Sequence, residues 1–296
     1  MAQERAVAAL KTGDSYEAQQ LFKSAYHRQR KRGVSPETAY ITLQEGAQLQ
    51  LAAGQITCGV ELSLLLLSAL EEDKVVPDST SIGYFLPIVS GLLGPAESSS
   101  SSDTSSGAQR KATGPPSAVK VDEAERVVFS IASWATKSPV TSAVALRRMH
   151  AIFAEKLWQA YGAADLQRVA VHAARGDDTA LYAKVLKSTT PAEPMDVVTT
   201  EAVLQVLVLA RTDTSPLQLA IAKRLLVDLG AGSEDSSATQ AARHPPLMNF
   251  LTLLLEALEK RSIPLVRLLR DRYRPALSVS EGWEALLERI AAVYCY

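Results

Sequence analysis

Apolar residues recur at intervals of three and four from residue 3 to residue 90, the spacing that gives a helix one apolar face. Three glycines, Gly13, Gly33 and Gly54, stand 20 and 21 residues apart between the periodic blocks. Glycine readily adopts the left-handed backbone conformation that ends many helices. The pattern therefore predicts a run of antiparallel helices, in which each repeat is one helix and one turn.

A helix start is indicated at Ser35. Serine is a favoured N-cap, and Pro36 follows at the first helical position, where the missing N–H of proline costs no hydrogen bond. We expect a helix from there to about residue 53. In the following helix, over about 55–72, five leucines between positions 62 and 67 leave no polar face. We therefore expect that helix to have neighbours on both sides.

The helical pattern resumes after residue 118 and continues to the end of the chain. No window in this half alternates apolar and polar residues as a half-buried strand does. The fold class is therefore predicted to be all-α. The later helices are expected at about 196–210, 216–229, 246–260, 263–273 and 282–294.

Two polar stretches interrupt the helical pattern. Residues 92–118 contain seven serines among the nine positions from 98 to 106. Such a composition buries too little apolar surface to offset the entropy of ordering it, so we predict a flexible insertion. Residues 230–246 form a second long polar connection, for which a short hairpin or ordered loop is the alternative.

Composition narrows the possible classes of function. Of 296 residues, 47% are hydrophobic and 21% charged, which is typical of a folded globular protein. With 31 basic against 32 acidic residues, the chain has no overall charge that would hold a nucleic acid. Its apolar runs are too short to cross a membrane. Two cysteines, Cys58 and Cys295, cannot build a disulfide framework, which is typical of proteins in the reducing cytosol.

No sequence motif for catalysis or cofactor binding is present. The chain lacks a GxxxxGK[ST] phosphate loop, a GxGxxG fingerprint, and the HExxH, CxxC and GxSxG patterns. None of its four histidines has a second ligand at a spacing that would hold a metal. Asp177 and Asp178 are interpreted as the cap and first turn of the next helix. We therefore predict no enzymatic activity, no cofactor and no metal site.

A cluster of basic residues lies near the C-terminal end of the chain. Arg267, Arg270 and Arg274 follow one another at helical spacing. Nucleic-acid binding would call for aromatic residues between the cations, and only Tyr273 is near. We interpret the cluster as a solvated helix face. Its members are Lys260, Arg261, Arg267, Arg270, Arg272 and Arg274.

The first helical block carries a family resemblance. The segment GDSYEAQQLF, from Gly13, opens as a tetratricopeptide-like hairpin does. A second helix with the small pair Gly46-Ala47 at its centre follows, and then a leucine-rich helix that ends in Glu71-Glu72. This order of features resembles the Golgi-to-ER traffic protein four family, whose members are also described as the scaffold subunit of the transmembrane-domain recognition complex.

The C-terminal segment resembles the end of the same family. Pro246-Leu247-Met248-Asn249-Phe250 begins a leucine-rich helix, and Tyr273-Arg274-Pro275-Ala276-Leu277 closes the helix after it. The two matched blocks stand at the two ends of the chain in the family's order. The middle matches only as a helical pattern, and the insertion at 92–118 departs from the family's tight connection.

The resemblance implies an all-α, tetratricopeptide-like, right-handed helical-hairpin solenoid without enzymatic activity. It divides the chain into N-terminal repeats over 1–91, the insertion over 92–118 and C-terminal repeats over 119–296. Family members act in the cytosol as adaptors in the insertion of tail-anchored proteins into the ER membrane, without entering the membrane themselves. The N-terminal half is expected to bind the targeting ATPase. The C-terminal half is expected to bind a ubiquitin-like-domain protein, which recruits a co-chaperone.

The resemblance assigns ATPase binding to the first long helix. Over 14–32, four side chains follow one another at intervals of four, four and three, and we expect this face to point outward. On charge pattern alone it is a solvated helix face, and the resemblance makes it a proposed contact with an acidic surface of the ATPase. The four are Gln19, Lys23, His27 and Arg30, and the nearby Arg28, Lys31 and Glu61 complete the proposed set.

The ubiquitin-like partner is assigned to the later helices. The connection at 230–246 is expected to fold over a segment of this partner and hold it against the helices at 196–210 and 246–260. These helices are apolar around most of their circumference, which indicates either an additional binding surface or burial between neighbouring helices. The proposed contact residues are Leu207, His244, Leu247, Phe250, Leu251 and Leu254.

One alternative stays open at this point. An unrelated helical-repeat scaffold of another multiprotein complex would share the architecture, because helical solenoids host many functions. Such a protein would lack the two matched chain ends.

Overall fold

The computed structural model of the chain describes residues 2–94, 118–136, 142–189, 194–231 and 246–295. All regular elements within these ranges are helical, and none of the residues described lies in a strand. The all-α prediction is therefore confirmed. The helices divide between two compact units, residues 1–165 and residues 166–296.

Unit 1 is built from consecutive helical hairpins. Its helices are α1 (Ala2–Lys11), α2 (Ser15–Lys31), α3 (Pro36–Ala52), α4 (Ile56–Glu72), α5 (Ser79–Gly83), α6 (Leu86–Gly91), α7 (Ala118–Ala135) and α8 (Ala143–Tyr161), followed by a 3₁₀ turn at Gly162–Asp165. Each of the first three helices packs on the next one along the chain. Beyond the insertion, α7 packs on α4, and α8 packs on α5, α6 and α7.

The turns of these hairpins form where the sequence predicted them. Gly13, Gly33 and Gly54 have φ of +87°, +66° and +75°, the left-handed conformation that a side chain would strain. The Ser35 hydroxyl accepts a hydrogen bond from the backbone N–H of Thr38 at 3.5 Å, and α3 begins at Pro36. These helix boundaries are therefore confirmed. The sequence could predict them because they depend on local backbone chemistry.

The leucine-rich helix α4 has neighbours on both sides, as predicted. It packs on α3 and on α7, and it also contacts α2. Leu62 is fully buried, and Leu67, about 140° away around the helix, is only 6% exposed. Each Å² of apolar surface that is removed from water stabilises the folded state by about 25 cal/mol, and α4 buries such surface on two faces. Packing on both faces of α4 therefore holds the middle of unit 1 together.

Unit 2 is arranged around one central helix. Its helices are α9 (Leu166–Arg175), α10 (Thr179–Thr189), α11 (Met195–Val208), α12 (Ser215–Leu226), α13 (Pro246–Glu259), α14 (Ile263–Leu277) and α15 (Trp283–Tyr294), with a π turn at Val227–Ala231. The central helix α11 packs on α9, α12, α13 and α15. The indole N–H of Trp283 donates to the Glu201 carboxylate and ties α15 to α11.

Helix α14 continues farther than the sequence indicated. It was predicted to end near residue 273, but it ends at Leu277 and contains Pro275. A proline at this position removes one i→i−4 backbone hydrogen bond, so the last turn forms at a cost. Leu277 is only 4% exposed, so burial of its side chain favours the extra turn.

Both predicted polar connections fall largely outside the described ranges. These ranges omit residues 95–117 of the predicted insertion and residues 232–245, where a hairpin or ordered loop was the alternative. Leu92 and Leu93, at the predicted start of the insertion, are buried in unit 1. The compact units do not coincide with the halves 1–91 and 119–296, because α7 and α8 pack on helices that precede the insertion. The assignment of partners to those halves stays a prediction.

Gly46→Ala is expected to lower the free energy of unfolding by about 1–3 kcal/mol, as overpacking of a core does. A Cβ at position 46 would lie 2.7 Å from Cγ of Phe22. Phe22 is only 1% exposed and has no room to retreat, so the clash outweighs the gain in helix propensity. Urea unfolding followed by circular dichroism measures the change.

Gly83→Ala is the matched control, because nothing lies within 4 Å of the Cβ that it would add. This variant should be at least as stable as the wild type. Equal losses in the two variants would contradict the close approach of α3 and α2 as the cause.

Candidate docking surfaces

The middle of α2 is held on α4 by hydrogen bonds to one carboxylate. The Gln19 amide donates to Glu61 Oε2 at 2.8 Å, and Lys23 Nζ donates to the same oxygen at 2.8 Å. The hydrogen bond from Lys23 holds the pKa of Glu61 below its usual value, while burial acts in the opposite direction. Two of the proposed ATPase contacts are thus already joined to a third one inside unit 1.

The prediction that Gln19 faces outward is wrong. Gln19 is only 2% exposed, and its amide also lies 3.5 Å from the carbonyl oxygen of Cys58. The spacing of four placed Gln19 and Lys23 on one face correctly. That face packs against α4. Periodicity shows which residues of α2 share a face, but it does not show which face a neighbouring helix covers.

A second polar contact fixes the end of α2. The Arg30 guanidinium donates to one oxygen of the Asp73 carboxylate, and the Tyr40 hydroxyl donates to the other. The hydrogen bond from Arg30, followed by that from Tyr40, holds the pKa of Asp73 below its usual value. Burial, together with the hydrogen bond to Asp73, raises the pKa of Tyr40. This cluster joins α2, α3 and the C-cap of α4.

Sequence reasoning missed Tyr40 and Asp73 as partners of Arg30. One signal was present. Asp73 follows Glu71 and Glu72 at the C-terminal end of α4, where the helix dipole disfavours negative charge. An acidic residue at such a position indicates that a cation from another element lies nearby.

The last turns of α2 carry cations that have no acidic partner. Arg28, Lys31 and Arg32 are exposed, and none of them forms an ion pair within the described part of the chain. His27 is also exposed, with its ring edge-on to Tyr26 at 5.0 Å between centroids. We call His27, Arg28, Lys31 and Arg32 the α2 basic end. Of the proposed ATPase contacts, only His27, Arg28 and Lys31 belong to it.

The side chains proposed to bind the ubiquitin-like partner lie inside unit 2. Phe250 packs against Tyr273 with 5.6 Å between ring centroids, and the backbone oxygen of Leu207 accepts from the Tyr294 hydroxyl at 3.4 Å. Burial between neighbouring helices, the alternative noted from the sequence, accounts for the five described members of the set. His244 lies outside the described residues. The five buried side chains are Leu207, Leu247, Phe250, Leu251 and Leu254, each at most 3% exposed.

The accessible apolar side chains of α11 and α13 are different ones. Leu253 on α13 is 41% exposed, and Met195 and Leu209 at the two ends of α11 are each 38% exposed. The two helices pack on each other. A partner that binds these helices without unfolding unit 2 can reach these side chains, and not the five buried ones.

Other candidate chemistry is confined to structural roles. The Asp178 carboxylate accepts from the backbone N–H of Leu181 at 2.9 Å, so its predicted role in capping the next helix is confirmed. Burial raises the pKa of both the Cys58 and Cys295 thiols. Within the described ranges, no group of three or more His, Cys, Asp or Glu residues could hold a metal ion. No helix in these ranges has the length and apolarity to cross a membrane.

Asp73→Asn is expected to destabilise unit 1 most at neutral pH. Because the folded-state pKa of Asp73 lies below its ordinary value of 3.8, the charged carboxylate stabilises the folded state above that pH. This contribution is lost as the pH falls through the lower, folded-state pKa. The difference in urea midpoint between wild type and variant should therefore stay about constant from pH 7 to about 5 and shrink as the pH is lowered further, through about 4 to about 2.5.

Glu37→Gln, which removes an exposed carboxylate from α3, controls for the change in net charge. A difference between wild type and Asp73→Asn that stays constant over this pH range would show that the ion pair with Arg30 contributes nothing to stability.

The chain matches known proteins over nearly its whole length. A model of the family described as Golgi to ER traffic protein 4 matches residues 35–295. The Golgi to ER traffic protein 4 homolog of Homo sapiens is 21% identical, over 97% of this chain and 77% of its own length. The homolog of the same name from Takifugu rubripes is 20% identical, over 97% of this chain and 78% of its own length.

The fold matches a solved structure. The crystal structure of C. therm. Get4 aligns with a TM-score of 0.64, over 99% of this chain and 89% of that chain, at 20% identity. This likeness shows the fold, and the predicted helical solenoid is thereby confirmed. The resemblance found at the two ends of the sequence is confirmed as well, since the family match spans most of the chain. The protein belongs to the Golgi to ER traffic protein 4 family.

Proposed function

We propose that this protein is a non-enzymatic adaptor in the post-translational insertion of tail-anchored proteins into the ER membrane. Membership of the Golgi to ER traffic protein 4 family supports a role in this traffic. In the proposal, the α2 basic end binds the targeting ATPase in the cytosol. The accessible part of α11 and α13 binds a ubiquitin-like-domain protein, which recruits a co-chaperone.

The ATPase contact rests on one observation, the contrast between paired and unpaired cations along α2. Lys23 and Arg30 are paired with acidic residues of unit 1. The cations of the α2 basic end have no such partner among the described residues. A helix C-terminus by itself stabilises a nearby cation by about 0.3–1 kcal/mol, which would also suit a solvated helix end. Family membership is what favours docking over that simpler explanation.

The paired residues prepare α2 for such a contact. Because Glu61 and Asp73 fix the helix at two points, the α2 basic end is carried on a rigid element. A preorganised surface loses less conformational freedom when it binds, which leaves more of the interaction energy for affinity. Exposed charges mainly accelerate association with a surface of opposite sign, and salt screens this effect. Binding to the ATPase should therefore weaken as ionic strength rises.

Arg28→Glu combined with Lys31→Glu is expected to weaken binding to the targeting ATPase about tenfold or more at low salt, through a slower association rate. Both side chains are exposed, so the helical circular dichroism should be unchanged. Surface plasmon resonance at several salt concentrations, with and without ATP, measures the effect. Charge reversal at Lys23 and Arg30 is unsuitable because it would also break contacts within unit 1.

Lys120→Glu combined with Arg126→Glu is the matched control, since both residues are exposed on α7 of the same unit. This variant has the same net charge as the test variant and should bind like the wild type. Undiminished binding of the Arg28 and Lys31 variant would remove the ATPase contact from α2.

The second contact rests on the accessible apolar residues of α11 and α13. The core of a protein interface is more apolar than the rest of the surface, and a few large side chains carry most of its energy. Leu253 is the most exposed of the three apolar candidates, and the other leucines of the same helix are buried in unit 2. It is thus available to a partner without any loss of packing. The proposed fold of residues 230–246 over the partner remains part of this proposal.

Leu253→Glu is expected to weaken copurification of the ubiquitin-like-domain protein, with a loss in affinity of about tenfold or more, because it places a charge in an apolar contact. Binding of the targeting ATPase should stay at the wild-type level, which separates a lost contact from a misfolded protein. Ala285→Glu, at an exposed position of α15, is the control for the added charge. Equal recovery of the partner with Leu253→Glu and with wild type would contradict this assignment.

A further inference from the structure

Helix α14 lies at the edge of unit 2 with one face unoccupied. Only Val266 and Leu277 of its 15 residues are buried, whereas α13 buries half of its 14 residues. α14 packs on α13 and α15, with Tyr273 set against Phe250. The opposite side of α14 has no packing partner among the described residues of unit 2.

Two leucines lie on this open side. Leu268 is 64% exposed and Leu265 is 40% exposed. At about 100° per residue, Leu265, Leu268 and Arg272 fall within an arc of about 60°, and the exposed Arg267 lies about 100° beyond Leu268, at the rim of the same open side. Single exposed apolar residues are common on protein surfaces, so the leucines alone do not indicate a binding site. Their position beside unpaired cations is what sets this helix apart.

The arginines of α14 divide into paired and unpaired ones. Arg270 pairs with Glu288 at 3.4 Å, and Arg274 pairs with Asp271 at 2.8 Å. Arg267 and Arg272 are exposed, and neither forms an ion pair within the described part of the chain. The chain as a whole has a net charge of -1, so these cations are a local excess. We call Leu265, Arg267, Leu268 and Arg272 the α14 outer face.

We propose that the α14 outer face docks an acidic amphipathic helix of a partner protein. The apolar side chains of that helix would cover Leu265 and Leu268. Its carboxylates would pair with Arg267 and Arg272, because a guanidinium binds a carboxylate through two parallel hydrogen bonds. This contact is separate from the two surfaces of the proposed function, so either proposal can fail without the other.

The composition of the face favours a protein over a membrane or a nucleic acid. Helices that lie on membranes use large apolar faces, often with exposed aromatic residues, and this face offers two leucines. Asp271, also exposed on this side, is paired with Arg274, so it does not cancel the charge of the two unpaired arginines of the face. Single-stranded nucleic acid is bound by stacking on aromatic rings, and Tyr273 is turned toward Phe250. An acidic helix with a narrow apolar stripe meets both the charge and the width of the face.

The test uses a fluorescein-labelled synthetic helix with leucines at every third and fourth position, flanked by glutamates. Fluorescence anisotropy should show that the wild-type protein binds it, and more weakly as salt is added. Arg267→Glu combined with Arg272→Glu should reduce affinity about tenfold or more. Leu268→Gln should also reduce it, while leaving the dependence on salt unchanged.

Three controls make the outcome decisive. Arg5→Glu combined with Arg224→Glu makes the same change in net charge at exposed positions outside α14 and should bind like the wild type. A scrambled peptide of the same composition should bind more weakly, because its leucines no longer share a face. Vesicles of phosphatidylcholine and phosphatidylserine should not be bound through these arginines.

Three results would overturn the proposal. The first is no binding of the acidic helix, or equal binding by wild type and by the Arg267 and Arg272 variant. The second is equal binding of the scrambled peptide, which would reduce the effect to unspecific charge attraction. The third is binding of the vesicles in place of the peptide, with loss in the same variant, which would make α14 a membrane-binding helix.

Discussion

Helix α4 has apolar side chains around most of its circumference, and its burial between α3 and α7 is the constraint on which the rest of unit 1 depends. Burial on both faces restricts its polar residues to the remaining edge. Glu61 lies on that edge, where α2 meets it with Gln19 and Lys23. The position of α2, and with it the direction of its last turns, therefore follows from how α4 is packed.

Unit 2 shows the same relation between a central helix and a peripheral one. α11 packs on α9, α12, α13 and α15, which bury most of its side chains. Within the described part of unit 2, α14 packs on α13 and α15 and leaves the side chains of one face exposed. The apolar residues of α13 are used in this packing. The surfaces that we propose for partners in unit 2 therefore consist of side chains that the core does not bury.

The division between paired and unpaired cations gives each unit its surface chemistry. A cation held by an acidic neighbour contributes to the position of its helix, as Arg30 does through Asp73. A cation without such a neighbour presents its charge to solvent, where it attracts acidic partners and is screened by salt. α2 and α14 each contain paired and unpaired cations. The number of charges along the sequence therefore does not show which cations position a helix and which are available to a partner.

The sequence by itself determined the class of fold, the turns and the helix starts, because these depend on neighbours along the chain. Gly33 ends α2 in the left-handed conformation, and Ser35 caps α3, wherever the helices later pack. Motifs at both ends of the chain also identified the family. Only the tertiary structure decided which polar side chains point outward. Gln19 is buried, and Phe250 is core, because helices distant in sequence cover them, and helical periodicity does not say which neighbour covers which face.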